Sequence, residues 1–215
     1  MCTEVSSAGS PESRDVRKVV SIILAAGESR RMGKPKALLS IGSTTFLSTI
    51  IEAHRNAGLK EIIVVTGAAR EQIEKEIEPL AVLTVHNAQY QRGQLSSIHA
   101  GLALAEKFGA GAAIIHPVDH PRVSSKTIRL LAEAASTALI AIPIFENKRG
   151  HPVGFSSSLF DELFAAPDDV GARAVVRNHE KDIVEVAADD PGILNNIDTP
   201  EQYERLRANL RNIEK

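Results

Sequence analysis

The chain has 215 residues, 43% of them hydrophobic and 24% charged, the balance of a globular domain large enough to build its own core. Its formal net charge of −2 supplies no global field to draw in a polyanion, so no nucleic-acid partner is expected and any phosphate site has to be local. A single cysteine, Cys2, excludes a disulfide framework or a cysteine metal site within one chain, and the longest apolar run, residues 19–26, is too short to cross a bilayer.

Residues 1–17 are rich in Ser, Glu and Arg and carry no apolar segment of the secretory kind. They are predicted to form a disordered arm before a single folded domain, 18–215, in a cytoplasmic protein with no membrane partner. Val19 to Leu24 is a β-branched run ended by Gly27, the pattern of a buried strand. Thr44 to Ala57 places Phe46, Leu47, Ile50, Ile51 and His54 on one helical face before Gly58. Further strands are predicted at 62–65, 82–85, 112–115 and 139–142. Helices over 70–78, 95–108 and 126–135 alternate with them.

Beyond residue 142 the rhythm loosens. A turn is expected at 147–150, a short strand at 153–155, short helices at 159–164 and 172–178, and extended segments at 183–186 and 192–197. A last helix starts at Pro200, with Tyr203, Leu206, Leu210 and Ile213 facing inward. Successive βα units predict a three-layer α/β/α domain on a doubly wound, mostly parallel (mixed) sheet of Rossmann-like type. Ligands of such sheets bind beyond the carboxyl ends of the strands, so the loops after Leu24, Val65, Val85 and Ile115 are where chemistry is sought.

The first of those loops, Leu24-Ala25-Ala26-Gly27-Glu28-Ser29-Arg30-Arg31-Met32-Gly33-Lys34-Pro35-Lys36, joins small residues to four basic side chains within seven positions. Small residues admit a ligand to the backbone, and Arg and Lys neutralise phosphate. A Walker A loop is excluded by Met32 and Pro35, and the three-glycine dinucleotide pattern by the lack of a third glycine. A solvated basic loop is the competing reading of this segment by itself.

His116-Pro117-Val118-Asp119-His120-Pro121 follows a predicted buried strand, where a carboxylate is well placed for a hard cation such as Mg²⁺. The same Asp in a Pro-rich turn also has a purely local use. Zinc on His116, Asp119 and His120 is disfavoured, because the two prolines prevent a helix from presenting both histidines together. In Asn196-Ile197-Asp198-Thr199-Pro200-Glu201, Thr199 as N-cap, Pro200 at the first helical position and Gln202 two residues on make a helix start. That capping leaves Asp198 available as a second carboxylate. The segment Arg92-Gly93-Gln94-Leu95-Ser96-Ser97 brings a glycine and two hydroxyls to a helix N-terminus, suited to a base or an anion, although Ser96 also reads as an N-cap.

Together these segments resemble the nucleotidyltransferase superfamily with the glycosyltransferase A-type, nucleotide-diphospho-sugar transferase fold. They are most similar to its molybdenum cofactor cytidylyltransferase branch. The resemblance rests on LAAGESRRMGKPKALL, GQLSSIHAGL, PVDHP, RGHPVGF, DVGARAVV and NIDTPEQY in that order, and runs from Val19 to Tyr203. It implies a Mg²⁺- or Mn²⁺-dependent enzyme that uses CTP as substrate and transfers CMP to a phosphate acceptor, molybdopterin first, with release of pyrophosphate. The backbone around Leu24, Ala25, Ala26 and Gly27 would hold base and ribose, and Arg31 and Lys36 would face the triphosphate. Ser97, with Gly93 nearby, would lie by the base. Asp119 and Asp198 would bind the metal, Asp119 in a catalytic role with Arg31 and Lys36. Gly150, His151 and Pro152 would border the acceptor.

His120 and His151 depart from the branch's usual residues, both on the acceptor side. Other phosphate acceptors, such as a sugar 1-phosphate or methylerythritol phosphate, are the alternative within the same chemistry. A non-catalytic assembly factor with a molybdoenzyme as partner is the alternative outside it. A nicotinamide oxidoreductase is disfavoured by the missing glycine pattern.

Overall fold

The computed structural model describes residues 16–213; the predicted arm otherwise lies outside the described residues. Arg17 is already part of the body, donating from its backbone N to Ser136 O at 3.1 Å and from its guanidinium to Ala138 O at 2.7 Å.

The elements follow in order: β1 (Val19–Leu24), the hairpin β2 (Ser40–Ile41) and β3 (Thr44–Thr45), α1 (Phe46–Asn56), β4 (Ile62–Thr66), α2 (Arg70–Ile77) and β5 (Leu83–His86). Then come α3 (Gln94–Lys107), β6 (Ala112–Pro117), α4 (Ser125–Ala135), β7 (Ile140–Phe145), β8 (Lys148–Arg149) and β9 (Val153–Ser156). The last are α5 (Phe160–Ala165), α6 (Arg173–Asn178), β10 (Ile183–Ala187) and α7 (Pro200–Ile213). Eight strands form one sheet in the order β10-β7-β9-β6-β1-β4-β5, with β8 on β7. Strand β1 lies parallel to β4 and β6, β4 to β5, and β10 to β7, whereas β9 runs antiparallel between β6 and β7. This is the mixed, mostly parallel three-layer fold expected of the sequence.

The period of two along β1 decides which layer each side chain joins. Val20, Ile22 and Leu24 pack with Ile98 and Leu102 of α3 on one face. Ile23 packs with Leu47, Ile50 and Ile51 of α1 on the other. Helix α4 covers β6 and β7 on that second face through Ile128, Leu131 and Ala135. A smaller cluster joins Phe46 and Leu39 to Ile197 and Leu206, clamping α7 onto the hairpin region. Phe46 and Tyr203 meet edge to face at 5.8 Å, and the Tyr203 hydroxyl donates to Ser40 O at 2.9 Å. Among the described residues no helix is long and apolar enough to cross a membrane.

Three expectations are corrected. Segment 192–197 is not extended: Pro191–Ile193 is a 3₁₀ turn, because the Asp190 carboxylate caps it by accepting from Gly192 N at 2.9 Å. Helix α1 starts at Phe46 rather than Thr44, since Thr44 and Thr45 pair with β2 and the Thr45 hydroxyl accepts from Ser48 N at 3.2 Å. The turn placed at 147–150 sits at Glu146 and Asn147, whose φ angles of 49° and 60° close a two-residue hairpin of the kind that matches strand twist.

Close backbone approach locks the first loop onto the end of β4. Ala25 N donates to Val65 O at 3.0 Å and Ala68 N to Ala26 O at 3.1 Å. A Cβ on Gly67 would stand 2.4 Å from Ala26 O, a backbone atom with no freedom to yield. Gly67→Ala is therefore expected to lower stability by about 1–3 kcal/mol. Urea unfolding checks this, and a midpoint equal to that of the native chain would show that the loop has slack.

Candidate active site

The carboxyl ends of β1 and β6 open a cleft of about 280 Å³. Its floor is the backbone of Leu24, Ala25, Ala26 and Gly27, and its far wall is Tyr90, Gly93 and Ser97. The small residues at 25–27 are what keep it open. The loop above is folded back on itself: Ser29 takes a left-handed φ of 52°, and its hydroxyl accepts from Lys36 N at 2.9 Å. That return points the Lys36 side chain at the cleft. Arg31 instead sits in the exposed 3₁₀ turn Arg30–Met32, and neighbouring Arg30 is paired with Glu28.

Lys36 is where distant segments meet. Its ammonium forms an ion pair with Asp198 and lies 3.9 Å from Asp119 Oδ2. Asp119 and Asp198, far apart in sequence, thus face one cation. Two features bring them there. Ile197 N donates to Asp119 O at 2.8 Å, tying the turn after β6 to the segment before α7. Gln202 Oε1 accepts from Asp198 N and Thr199 N at 2.7 and 2.9 Å, and Thr199 Oγ1 from Gln202 N at 3.3 Å. This capping box satisfies the start of α7 with other groups and leaves the Asp198 carboxylate free to face Lys36. Asp119 Oδ1 is buried and has no hydrogen-bond partner among the described residues. A buried carboxylate oxygen in that state, beside a second carboxylate, fits a hard divalent cation.

The wall by Gly93 is set by backbone conformation and by one buried amide. Gly93 has φ 109° and ψ −177°, a region that belongs to glycine, and this sharp turn delivers the first turn of α3 to the cleft. Ser96 is not the N-cap; it lies inside α3 and donates to Gly93 O at 2.8 Å. Asn87, buried after β5, donates to Ser96 Oγ and Ser97 Oγ at 2.9 and 3.0 Å and fixes both. The sequence reading missed Asn87. Its signal was a polar residue directly after a predicted strand, which turn chemistry also explains.

A second cavity of about 500 Å³ adjoins the first across Gln94 and Pro117. Gly150 and His151 line it beside apolar Leu95, Val153 and Phe155, with Arg173 and Arg177 among its charged residues. Gly150 is pressed against Ile193, where a Cβ would stand 2.4 Å from Ile193 O, and His151 N donates to that same oxygen at 2.9 Å. Pro152, joined to His151 by a cis bond, is buried behind the lining. The rings of His120 and His151 lie 4.9 Å apart, and burial lowers the pKa of both, that of His151 to about 4.

Beneath the site, His54 and His116 are fully buried. Burial pushes the His54 pKa down to about 3, and that of His116 well below its usual range, aided by the neighbouring histidines. From its spacing alone His54 reads only as one residue of a helix face.

Residues 21–183 match the family described as MobA-like NTP transferase domain. The purine catabolism protein PucB of Bacillus subtilis is 28% identical over 88% of this chain and 96% of its own. A probable molybdenum cofactor guanylyltransferase of Bacillus cytotoxicus is 28% identical over 72% of this chain and 76% of its own. Among solved structures, Rv0371c of Mycobacterium tuberculosis superimposes with a TM-score of 0.77 at 27% identity, over 89% of this chain and 98% of that one. A second crystal structure of Rv0371c is a complex with manganese.

The buried histidines give the fold a defined acid response. His54 is neutral when folded and titrates near 6.5 when unfolded, so its contribution is complete above about pH 6.5 and is lost as pH falls toward 3. The expected loss from this residue approaches about 1.4 kcal/mol per pH unit within that window. Denaturant titrations at several pH values check it: His54→Gln should show a shallower slope than the native chain, and equal slopes would contradict the assignment.

Proposed function

Because the chain belongs to the MobA-like NTP transferase domain family, and so to the nucleotidyltransferases, we propose that it transfers CMP from CTP to a phosphate acceptor, molybdopterin first, releasing pyrophosphate. The observation that carries this reading is the convergence of Asp119 and Asp198 on the Lys36 ammonium beside the small-residue cleft. Family membership supports nucleotidyl transfer. The cytidylyl preference rests on the Leu95-Ser96-Ser97 segment, now seen as a wall held by Asn87. The relative named as a molybdenum cofactor guanylyltransferase supports the acceptor and makes GTP the rival donor.

In this reading Leu24 to Gly27 and Ser97 hold base and ribose, and the triphosphate lies along Lys36 and Arg31. The acceptor occupies the adjoining cavity by Gly150, His151 and Pro152. An acceptor phosphate oxygen bonds to the α-phosphorus in line, and the bond to the β-phosphate oxygen breaks as pyrophosphate leaves. The reaction needs no covalent nucleophile from the protein; its task is alignment and the offsetting of developing charge. Asp119 and Asp198 would hold Mg²⁺ or Mn²⁺, which when bound neutralises phosphate charge. The manganese complex of a structural relative supports a divalent ion in this fold. Gln94 and Pro117, shared by both cavities, set the boundary the acceptor oxygen must reach across.

Pyrophosphate release with CTP, GTP, ATP and UTP against a panel of phosphate acceptors tests the proposal, with a chelator arm that should abolish turnover. CTP is expected to give the highest kcat/KM. Equal or better rates with GTP would replace the donor but keep the chemistry, and no release with any pair would favour an assembly factor that serves a molybdoenzyme.

The two basic residues predict a second outcome. Arg31→Ala should leave stability within about 0.5 kcal/mol of native, as for other exposed loop positions. Lys36→Ala leaves two carboxylates facing each other and is expected to shift the melt modestly. Each should lower turnover by about tenfold or more, since contacts to transition-state charge are worth roughly 2.7–4 kcal/mol. Melting and turnover measured on one preparation decide it: unchanged turnover would make the basic run a solvated face.

A further inference from the structure

Four polar groups form a continuous chain through the packed interior beneath the site. Ser21 on β1, His54 on α1 and His116 on β6 are each fully buried, with 0% exposure. Ser21 Oγ and His54 Nδ1 are 2.6 Å apart, His54 Nε2 and His116 Nδ1 2.7 Å, and His116 Nε2 and His120 O 3.0 Å.

The last link fixes the direction of the rest. A carbonyl oxygen only accepts, so His116 Nε2 carries the proton. A neutral imidazole has one N–H, so His116 Nδ1 accepts and His54 Nε2 donates. His54 Nδ1 then accepts from the Ser21 hydroxyl. Both rings are neutral in this arrangement, as burial requires of them.

Three polar side chains in a sheet core are more costly than three apolar ones unless every group is satisfied. Here every ring nitrogen is used, and the three side chains end on the carbonyl of His120. That carbonyl belongs to the turn that carries Asp119. Besides its own closing bond from His120 N to Pro117 O at 3.2 Å, the turn is held by Val118 N to Leu24 O at 3.2 Å and by Ile197 N to Asp119 O at 2.8 Å. To these backbone bonds the imidazole of His116 adds one from a side chain.

We propose that His116, backed by His54 and Ser21, is a positioning residue that sets the Asp119 turn for cation binding. The inference rests on the reading of Asp119 as a metal-binding carboxylate. It goes beyond that reading in giving a buried chain of three side chains the task of holding the carboxylate in place.

Two near-isosteric substitutions separate positioning from packing. The amide nitrogen of His116→Gln reaches the place of Nε2 and keeps the donation to His120 O. His116→Asn keeps only the place of Nδ1 and loses it. Mn²⁺ binding to the nucleotide-free protein is measured by the electron paramagnetic resonance of the free ion, beside melting temperature and the kcat–KM split. Loss of an outer-shell partner costs metal affinity about 10-fold or more, so His116→Asn is expected to raise the Mn²⁺ Kd by that much and to lower kcat with the CTP KM little changed. His116→Gln should remain within about 3-fold of native.

Matching Mn²⁺ affinities for the two variants would overturn the proposal whatever their stabilities. Should His116→Asn not fold, Ser21→Ala decides, since it removes one oxygen and the donor to His54. The Mn²⁺ Kd should then rise by about 3-fold, and an unchanged Kd overturns the assignment. Native protein that binds no Mn²⁺ would sink the reading of Asp119 itself, and the positioning role with it; native binding with no effect of these variants sinks the positioning role alone.

Discussion

The arrangement depends on one strand having parallel neighbours on both sides. Strand β1 pairs with β4 and with β6, and the chain winds away from it first through β4 and β5 and then through β6 on its other side. The connection from β1 leads toward β4 and that from β6 toward β7, away from each other along the sheet, and a crevice opens between the two carboxyl ends. The small residues at 25–27 keep this crevice open at its base. Gly67 lets the end of β4 lie against Ala26 and hold the loop from behind.

Within the crevice the decisive contact is a backbone hydrogen bond. Ile197 N to Asp119 O joins two loops about eighty residues apart and brings two carboxylates to one side of the cleft. Two carboxylates facing each other repel, and the Lys36 ammonium offsets that repulsion in the ligand-free chain. This Lys36 pairing accounts for the sharp return of the loop through left-handed Ser29: the side chain has to come back over the strand end. The packing of α7 through Phe46, Tyr203 and Leu206 is what makes the far carboxylate available. A helix that caps the domain at its C-terminal end thus completes a site begun by the first strand.

The regular part of the chain was legible because its period is unambiguous. Val19–Leu24 and the face of α1 carry runs that no turn chemistry competes with. The start of α7 was legible for a different reason, since Thr199, Pro200 and Gln202 form a local capping pattern that needs no tertiary partner. Misreadings fell where short-range polar groups compete with the ladder. Asp190 curls 191–193 into a turn, and Thr45 gives up its helical place to cap α1. The hairpin turn moved to Glu146 and Asn147, a pair of left-handed residues whose identity alone does not announce that conformation.

For the site, the amino-acid sequence by itself determined the chemical inventory: a small-residue loop with basic side chains, an Asp after a buried strand and a second Asp before a capped helix. It also determined that Arg31 and Lys36 share one loop. Only the tertiary structure decided that Lys36 turns inward to two carboxylates while Arg31 stays on the exposed rim. It likewise decided that Asn87 fixes the serine wall and that Ser21, His54 and His116 form one directed chain. The physical reason is range. Periodicity and capping act over a few neighbouring residues and are written into local sequence. The partner of a buried polar group is chosen by strand order and helix packing across the whole domain, and an isolated serine or histidine carries no mark of which strand will lie beside it.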